Sequence, residues 1–473
     1  MYKSDSFIQP LLFLTVWVGF CLIIGALLGF HSESVVPVLI ALAVTGFLVF
    51  IATPFAFYAM LVCWPFSFRY IIPAAQTEVQ TPTEPLLGML VFTFAVKQLL
   101  DSVIMRRKSV LRDDAQNRPR FPLSWPVLFY ACAIILPTFN SPQLYVSAKG
   151  VFRTVIYMML SFVTYEAVRT RRDLRYLFGA TFPVAAAAVV WTSIILIYRI
   201  DQWQWTSAYY GSPFTNYTSY GAFTAVFLLI ILSCLLSGRI SYDRVLWTGL
   251  LLIFGAGFIL CFSRGVWIAM IMGVGFLFWQ LGSGEHHKKL LFVGAVGLLG
   301  LVIVTIPGVS ELIRERISTI FDFQFASNRS RLLRWGQAVL MFLRHPIIGN
   351  GYGAFAIYYE EDTALVGEYT ARFQLDAHSE YLQVLAELGI VGFVAWMWVI
   401  ISFFRYGLRT LRQIEEPFYR ALIVGLMASQ FSMLVLFIVF TLPTGDELAV
   451  PFWLIYGLLP AVVQMANRQA PAT

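Results

Sequence analysis

The sequence predicts an all-α polytopic membrane protein, a helix bundle of about 12 to 14 transmembrane helices. Hydrophobic residues make up 59% of the 473 residues and charged residues only 12%, whereas a soluble domain carries about 25% charged residues. Apolar runs of roughly 20 residues, the length at which a helix crosses a bilayer, recur along the whole chain. The runs lack the polar–apolar alternation of membrane β-barrels, so helices are predicted.

The predicted spans coincide with these apolar runs. They cover residues 11–30, 35–50, 52–67, 85–100, 125–139, 151–168, 177–198, 221–238, 245–262, 266–281, 290–307, 389–406, 421–442 and 449–465. The second and third runs meet at Pro54 and form either two short spans, one kinked hairpin or a partly re-entrant pair. The first run is interpreted as a retained span, because no small-residue cleavage site for a signal peptide follows it.

Lysine and arginine are distributed unevenly between the loops, and this asymmetry predicts the orientation of the spans. Six basic residues lie in the loop 101–120 and four in the loop 169–175, which places these loops and both termini in the cytoplasm. Three regions follow. They are an N-terminal transmembrane bundle (1–307), a long extracytoplasmic loop with amphipathic helices (308–388), and C-terminal transmembrane helices (389–473).

The composition of the spans argues against several function classes. No predicted span carries an acid or base near its middle, and ion-coupled transporters ordinarily need such a residue. The basic cytoplasmic loops explain the net charge of +7, so no nucleic-acid partner is expected. All five cysteines fall in apolar runs and are predicted to be buried free thiols. Chemistry is therefore expected at the outer face.

The long loop carries seven arginines and no lysine. Its stretch "SNRSRLLRWGQAVLMFLRHP" predicts a helix that begins near Ser327 or Asn328 and ends before Pro346. Arg331 and Arg334 are three residues apart and share one helical face. Next to that face, an apolar stripe at helical spacing consists of Leu332, Trp335, Val339 and Phe342.

Two interpretations of these arginines stay open. One is a basic amphipathic helix on anionic headgroups, which applies to Arg329 and Arg334 in particular. The other is that guanidinium groups hold phosphate or diphosphate oxygens, which arginine binds through two parallel hydrogen bonds and lysine does not. The absence of lysine favours phosphate binding.

The stretch "GNGYGAF" (349–355) has the glycine content of a nucleotide-binding loop but follows a helix and a proline rather than a strand. A Rossmann or P-loop interpretation is therefore rejected. A tight turn that requires positive φ angles explains the glycines. An additional role of Gly349 and Gly351, in letting the backbone approach a ligand, stays open.

Two further residues are predicted on the same outer side. Arg264, in "CFSRGVWIAM", lies where two spans meet, and alone it would be interpreted as an interfacial anchor. His378, in "DAHSEYLQVLAELGIVG", lies directly before a span, where a single histidine is more often a structural hydrogen-bonding group than a catalyst. Gly389 and Gly392 in that span are predicted to let another helix approach closely.

These stretches resemble the signatures of the O-antigen ligase and polymerase superfamily of bacterial membrane glycosyltransferases. "HSEYLQVLAELGIVG" fits the pattern of histidine, then Asn, Ser or Gln, nine residues, glycine, two residues and glycine. "SRGVW" is similar to the family's arginine motif at a span junction. "SRLLRWGQAVLMFLRHPIIGNGYGAF" is similar to its Arg-x-x-x-Trp helix and the glycine turn that follows. The resemblance covers residues 205–460.

The resemblance implies a helical bundle in the bacterial inner membrane with one long periplasmic loop. It implies a glycan donor linked by diphosphate to undecaprenol and an acceptor hydroxyl on lipid A–core or on another glycan. His378, Arg331 and Arg264 match the family's functional residues and are the predicted catalytic residues. The predicted substrate-binding residues are Arg264, Arg331, Arg334, Arg329, Ser379, Gly349 and Gly351. Arg329 and Arg334 are additional to the family pattern and receive no family role.

The chemistry of a lipid diphosphate agrees with this implication. The diphosphate is already an activated leaving group, so no nucleotide site, metal or other cofactor is expected. Two arginines would neutralise charge on the departing diphosphate. His378 would accept the proton of the acceptor hydroxyl as a general base, or would only orient the donor or acceptor. Direct displacement would invert the anomeric configuration.

Several functions stay open on the sequence alone. An O-antigen ligase and a repeat-unit or exopolysaccharide polymerase are ranked nearly level, because they share these motifs. A lipid-linked glycan flippase or another polysaccharide transporter is the alternative from a different class. It predicts a wide polar cavity and charged residues within the spans, which the sequence does not provide.

Overall fold

A computed structural model describes residues 46, 49–50, 53–72, 77–108, 120–199, 209, 211–236, 244–281, 311, 314, 318, 326–361, 376–442 and 446–469. Apart from one small hairpin, the regular structure in these residues is helical, which confirms the predicted all-α class. Seven of the described helices are long and apolar enough to cross a membrane, so the chain is a multi-pass membrane protein. The predicted spans 11–30 and 290–307, and most of 35–50, lie outside the described residues.

The helices are numbered in chain order. They are α1 (Thr53–Cys63), α2 (Thr83–Lys108), α3 (Ser124–Ala133), α4 (Leu144–Ala167), α5 (Arg171–Tyr198), α6 (Tyr217–Leu236), α7 (Arg244–Leu260), α8 (Arg264–Leu281), α9 (Ala326–Arg344), α10 (Phe355–Glu361), α11 (Glu380–Leu411), α12 (Pro417–Leu436) and α13 (Asp446–Gln469). Strands β1 (Phe68–Ile72) and β2 (Thr77–Thr81), between α1 and α2, form an antiparallel pair. The hydropathy pattern does not predict this hairpin.

Two of the predicted spans have a different form in the structure. The run 125–139 divides into α3 and a 3₁₀ helix, Leu136–Asn140, because Pro137 has no backbone N–H with which to continue an α-helix. The run 389–406 is part of the longer α11, which begins at Glu380 and contains a break at Gly389 with φ 64°. The start of α11 therefore lies next to His378.

The chain divides into two compact units. The first takes in residues 1–122, 156–188 and 445–461. Within it, the buried carboxylate of Asp446 accepts a hydrogen bond of 2.6 Å from the Tyr157 hydroxyl. A β-carbon on Gly457 would lie 2.2 Å from the Ser161 carbonyl oxygen, so α4 and α13 approach there as closely as small residues permit in membrane helices.

The second unit takes in residues 123–155, 189–444 and 462–473. At its centre α6, which is buried along most of its length, packs on α12. The Ser233 hydroxyl donates to the Ala421 carbonyl at 2.7 Å, and the Ser429 hydroxyl donates to the Val226 carbonyl at 2.9 Å. Hydrogen bonds of this kind join helices where water is absent. All of the predicted site residues belong to this unit.

Candidate functional site

Helix α9 turns one face into the protein and the opposite face outwards. The inward face, which packs on α11, consists of Arg334, Gln337, Ala338 and Met341. The outward face is apolar and carries the exposed side chains of Leu332, Leu333, Val339, Leu340 and Leu343. The predicted apolar stripe through Leu332 and Val339 is therefore not the buried face. The helix also begins at Ala326, slightly before its predicted start.

Two of the predicted arginines meet at one amide side chain. A terminal nitrogen of Arg264, at the start of α8, donates to Oδ1 of Asn328 at 3.3 Å. A terminal nitrogen of Arg331 donates to the same oxygen, also at 3.3 Å. The structure therefore brings together two residues that are 67 positions apart in sequence, and the group between them is neutral.

Burial and like charge both act on Arg331. Burial lowers the pKa of its guanidinium, the nearby Tyr217 opposes that shift, and the positive charges of Arg264 and Arg334 lower the pKa further. Its Nε atom is buried and, within the described part of the chain, has no hydrogen-bond partner. A cluster of cations with a buried, unsatisfied N–H favours an anionic ligand, because an anion would restore the charge balance and accept the hydrogen bond.

The third arginine of the cluster and His378 share a carboxylate that the sequence analysis did not predict. Nη1 of Arg334 lies 3.7 Å from Oδ1 of Asp376 and donates to its backbone carbonyl at 3.5 Å. Nδ1 of His378 lies 3.2 Å from the same Oδ1. The Thr441 hydroxyl donates to Oδ2. Asp376 thus connects α9, the start of α11 and the segment after α12.

The electrostatic environment keeps Asp376 ionised. The surrounding protein alone would raise the pKa of its carboxyl, but the contact with His378, the hydrogen bond from Thr441 and the charge of Arg334 outweigh that effect. The result is a pKa well below the ordinary range. The arrangement therefore holds a fixed negative charge beside the imidazole.

The backbone of His378 has an uncommon conformation, with φ 50°. Its N–H donates to Oδ1 of Asp376 at 3.0 Å, which forms the local turn that allows Asp and Asn to support unusual backbone angles. The imidazole lies 6.2 Å from the ring of Phe440, nearly parallel to it, and is 31% exposed. The next residue, Ser379, is buried and precedes α11 without capping it through its side chain. The imidazole is thus held in place and still accessible.

The glycine turn packs against the break in α11. Both Gly349 and Gly389 have positive φ, and a β-carbon on Gly349 would lie 2.1 Å from the Glu387 carbonyl oxygen. The N–H of Ile390, freed by the break, donates to the Pro346 carbonyl at 2.9 Å. Gly351 is equally confined, because a β-carbon there would lie 2.6 Å from the Ser141 side chain. The close approach that these glycines permit is therefore between two parts of the same chain.

Two buried side chains fix this junction. The Glu387 carboxylate accepts hydrogen bonds from the N–H groups of Gly353 at 2.8 Å and Phe355 at 3.0 Å. The Asn350 amide donates to the carbonyls of Met341 at 2.7 Å and Ala386 at 2.8 Å. Because Met341 is on α9 and Ala386 on α11, Asn350 sets the spacing of the two helices. Neither residue is a sequence-predicted site residue.

The structure does not bring Arg329 into the arginine cluster. Arg329 is exposed and is two positions from Arg331, which is about 200° around an α-helix. Gly392 is buried, and a β-carbon there would lie nearest to Leu388 of its own helix. Among the residues that the structure describes, no group of three or more His, Cys, Asp or Glu side chains could hold a metal ion.

Comparison with known families identifies the region that contains these residues. Residues 248–397 match the family model described as O-antigen ligase. The resemblance to the O-antigen ligase superfamily is confirmed. The matched region, hereafter the O-antigen ligase domain, includes Arg264, Arg331, Asp376, His378 and the glycine junction.

One relative is similar to part of the chain. A protein from Haemophilus influenzae, described as uncharacterized, is 23% identical over 159 residues. The alignment covers 32% of this chain and 40% of that relative. The chain thus matches less than half of the relative's length, and the relative's name adds no activity.

Proposed function

We propose that the chain is a membrane glycosyltransferase that moves a glycan from an undecaprenyl-diphosphate-linked donor to an acceptor hydroxyl. The reaction takes place at the periplasmic face of the bacterial inner membrane, with both chain termini in the cytoplasm. The observation that carries the proposal is the pairing of Arg264 and Arg331 on Asn328, within a matched O-antigen ligase domain. Lipid A–core or another glycan supplies the acceptor hydroxyl.

The two guanidinium groups bind the diphosphate of the donor. The side chain that joins them, Asn328, is a neutral amide, so this shared contact does not neutralise their charges. Arginine suits this task because its planar group binds two phosphate oxygens at once and stays charged when buried. The charge that builds up on the diphosphate during bond breaking is the charge that these groups stabilise.

His378 acts as the general base. The imidazole accepts the proton of the acceptor hydroxyl, and the oxygen forms a bond to the anomeric carbon of the donor glycan. The bond from that carbon to the diphosphate oxygen breaks, and the lipid diphosphate leaves with the electron pair. Attack and departure on opposite sides invert the anomeric configuration. This step needs no metal and no nucleotide.

The outward face of α9 fits a donor that is a lipid. Leu332, Leu333 and Leu340 are between 38% and 46% exposed, and Leu343 is 65% exposed. The same helix turns Arg334 inwards, and Arg331 lies beside that inward face. A helix with apolar side chains outside and guanidinium groups inside can lie at a membrane interface and receive a lipid headgroup from the bilayer.

A transfer assay tests the proposal with variants that have matched controls in the chain. Membranes that contain the full chain are supplied with an undecaprenyl-diphosphate-linked oligosaccharide and a hydroxyl acceptor. Arg331→Lys is expected to lower kcat/KM about 100-fold or more, whereas the exposed control Arg329→Lys retains activity. His378→Ala is expected to lose at least about 100-fold, and the exposed control His345→Ala retains activity.

The products decide between the related functions. A ligase defect leaves lipid-linked polymer that is not attached to an acceptor, whereas a polymerase defect leaves single repeat units. Normal transfer by both Arg331→Lys and His378→Ala would contradict the proposed function. Movement of labelled donor across vesicle membranes without any transfer would instead show a flippase.

A further inference from the structure

We infer that Asp376 is a positioning residue that orients the His378 imidazole and holds Arg334 against the same carboxylate. The inference rests on the proposed function and deepens it. It adds a carboxylate to the site.

The Asp376 carboxylate has both of its oxygens engaged by the protein. Oδ1 accepts the His378 N–H at 3.0 Å and lies 3.2 Å from Nδ1 of the same residue. Oδ2 accepts the hydroxyl of Thr441. One oxygen therefore contacts both the backbone and the ring of His378, and the other is tied to a separate segment of the chain.

This double contact determines the position of the imidazole. A φ of 50° is unfavourable for a residue with a β-carbon, and the hydrogen bond from the His378 N–H to Asp376 stabilises it. Nδ1 is buried and lies 3.2 Å from Oδ1 but makes no well-aligned hydrogen bond within the described residues, so a small rotation of the ring brings its N–H onto the carboxylate. With Nδ1 protonated and facing the carboxylate, Nε2 keeps a free lone pair for the acceptor hydroxyl. The carboxylate also stabilises the imidazolium that forms when Nε2 takes the proton.

The same carboxylate holds Arg334. Arg334 is only 9% exposed, and one of its terminal nitrogens lies 3.7 Å from Oδ1 of Asp376. That nitrogen also donates to the Asp376 backbone carbonyl. Asp376 therefore retains a buried guanidinium beside the oxygen that contacts the imidazole.

Four charged groups surround the Asp376–His378 pair. Arg334 faces Asp376 from α9, and Arg331 lies next to Arg334. Glu380 and Glu387, on α11, are close enough to interact electrostatically with Asp376. The Glu380 carboxylate accepts the Leu442 N–H at 2.8 Å, and Glu387 is held by the glycine junction. Both glutamates therefore bind backbone amides, which leaves Asp376 as the carboxylate in contact with the imidazole.

The test uses Asp376→Asn, which preserves shape, in full-length protein in membranes, with initial rates measured at several donor concentrations. We expect kcat to fall about tenfold or more, while KM for the undecaprenyl-diphosphate-linked oligosaccharide stays unchanged. Thr441→Val is expected to give a smaller fall in kcat.

Each outcome decides a separate point. A wild-type kcat in Asp376→Asn would overturn the positioning role. A donor KM that rises by as much as kcat falls would overturn it too, because a positioning role for the base leaves donor binding unchanged. If wild-type membranes transfer glycan and only these variants disagree, the inference fails and the proposed function stands. If wild-type membranes transfer none, both fail together.

Discussion

The backbones of Gly349 and Gly389 cross so closely that a β-carbon on Gly389 would lie 2.6 Å from the Gly349 nitrogen. Both residues have φ between 64° and 78°. One belongs to the turn after α9 and the other to the break in α11. This contact joins the helix that carries the arginines to the helix that follows the histidine.

Gly389→Ala is expected to destabilise the protein by more than about 2 kcal/mol, because the β-carbon meets backbone atoms and the positive φ is strained. Thermal unfolding of the detergent-solubilised protein measures the effect. Gly336→Ala is the matched control, since nothing lies within 4 Å of the added carbon. The control is expected to be neutral or to stabilise α9 by about 0.5–1 kcal/mol. Equal unfolding temperatures for both variants would contradict the role of the crossing.

Asn328→Asp is expected to weaken diphosphate binding, because a carboxylate between Arg264 and Arg331 would neutralise the charge that attracts the ligand. Binding of farnesyl diphosphate, a short lipid diphosphate, by isothermal calorimetry measures this without any transfer. The expected loss is about tenfold, one charge-assisted hydrogen bond in size. Asn328→Ser, which stays neutral, is the control and should bind nearly as well. Tighter binding by the aspartate variant would show that the arginines do not face the diphosphate.

The low pKa of Asp376 predicts the pH dependence of stability. A carboxyl whose folded pKa is depressed contributes stability above its unfolded pKa of about 3.9 and loses that contribution as pH falls towards the folded value. The contribution of this group to the unfolding temperature should therefore be constant between about pH 5 and pH 7. The unfolding temperature should decline as the pH falls below about 3.9. Asp376→Asn should be less stable at neutral pH and should show a smaller acid decline.

Leu343, on the outward face of α9, is expected to contact lipid. A nitroxide spin label at Leu343→Cys should collide more with oxygen than with a water-soluble nickel complex. The background carries Cys132→Ser, which removes the cysteine that is exposed among the described residues. The same label at Gln413→Cys, an exposed position between α11 and α12, should show the reverse preference. Greater accessibility of the Leu343 label to nickel would place this face in water.

The sequence alone was sufficient to predict the class of the fold, and its motifs are what selected Arg264, Arg331 and His378, on which the proposal rests. Hydropathy identifies long apolar helices without any knowledge of their packing, and the outcome agrees for α2, α4, α5, α6, α11, α12 and α13. The pairing of Arg264 with Arg331 followed from the motifs rather than from periodicity. The shared Asn328 could not be predicted, because which side chain fills the space between two helices depends on their packing.

One of the contacts of Asp376 has a local signal in the sequence, and the other has none. An Asp two residues before a functional histidine is placed to accept that residue's N–H, which is a local turn pattern. Its second partner, Thr441, is 65 residues away and has no local signal. Glu387 was equally hidden, because within "LAELG" it resembles an ordinary polar helix residue until the glycine turn packs against it.

The glycine junction has a consequence for how a ligand would be received. Asn350 and the Gly349–Gly389 crossing join α9 and α11 through buried backbone hydrogen bonds, and Glu387 holds the turn between them. The distance from the arginine pair to His378 is thus set when the chain folds. A donor headgroup would bind to a positively charged site that is already formed. Little of its binding free energy would be used to order the protein around it.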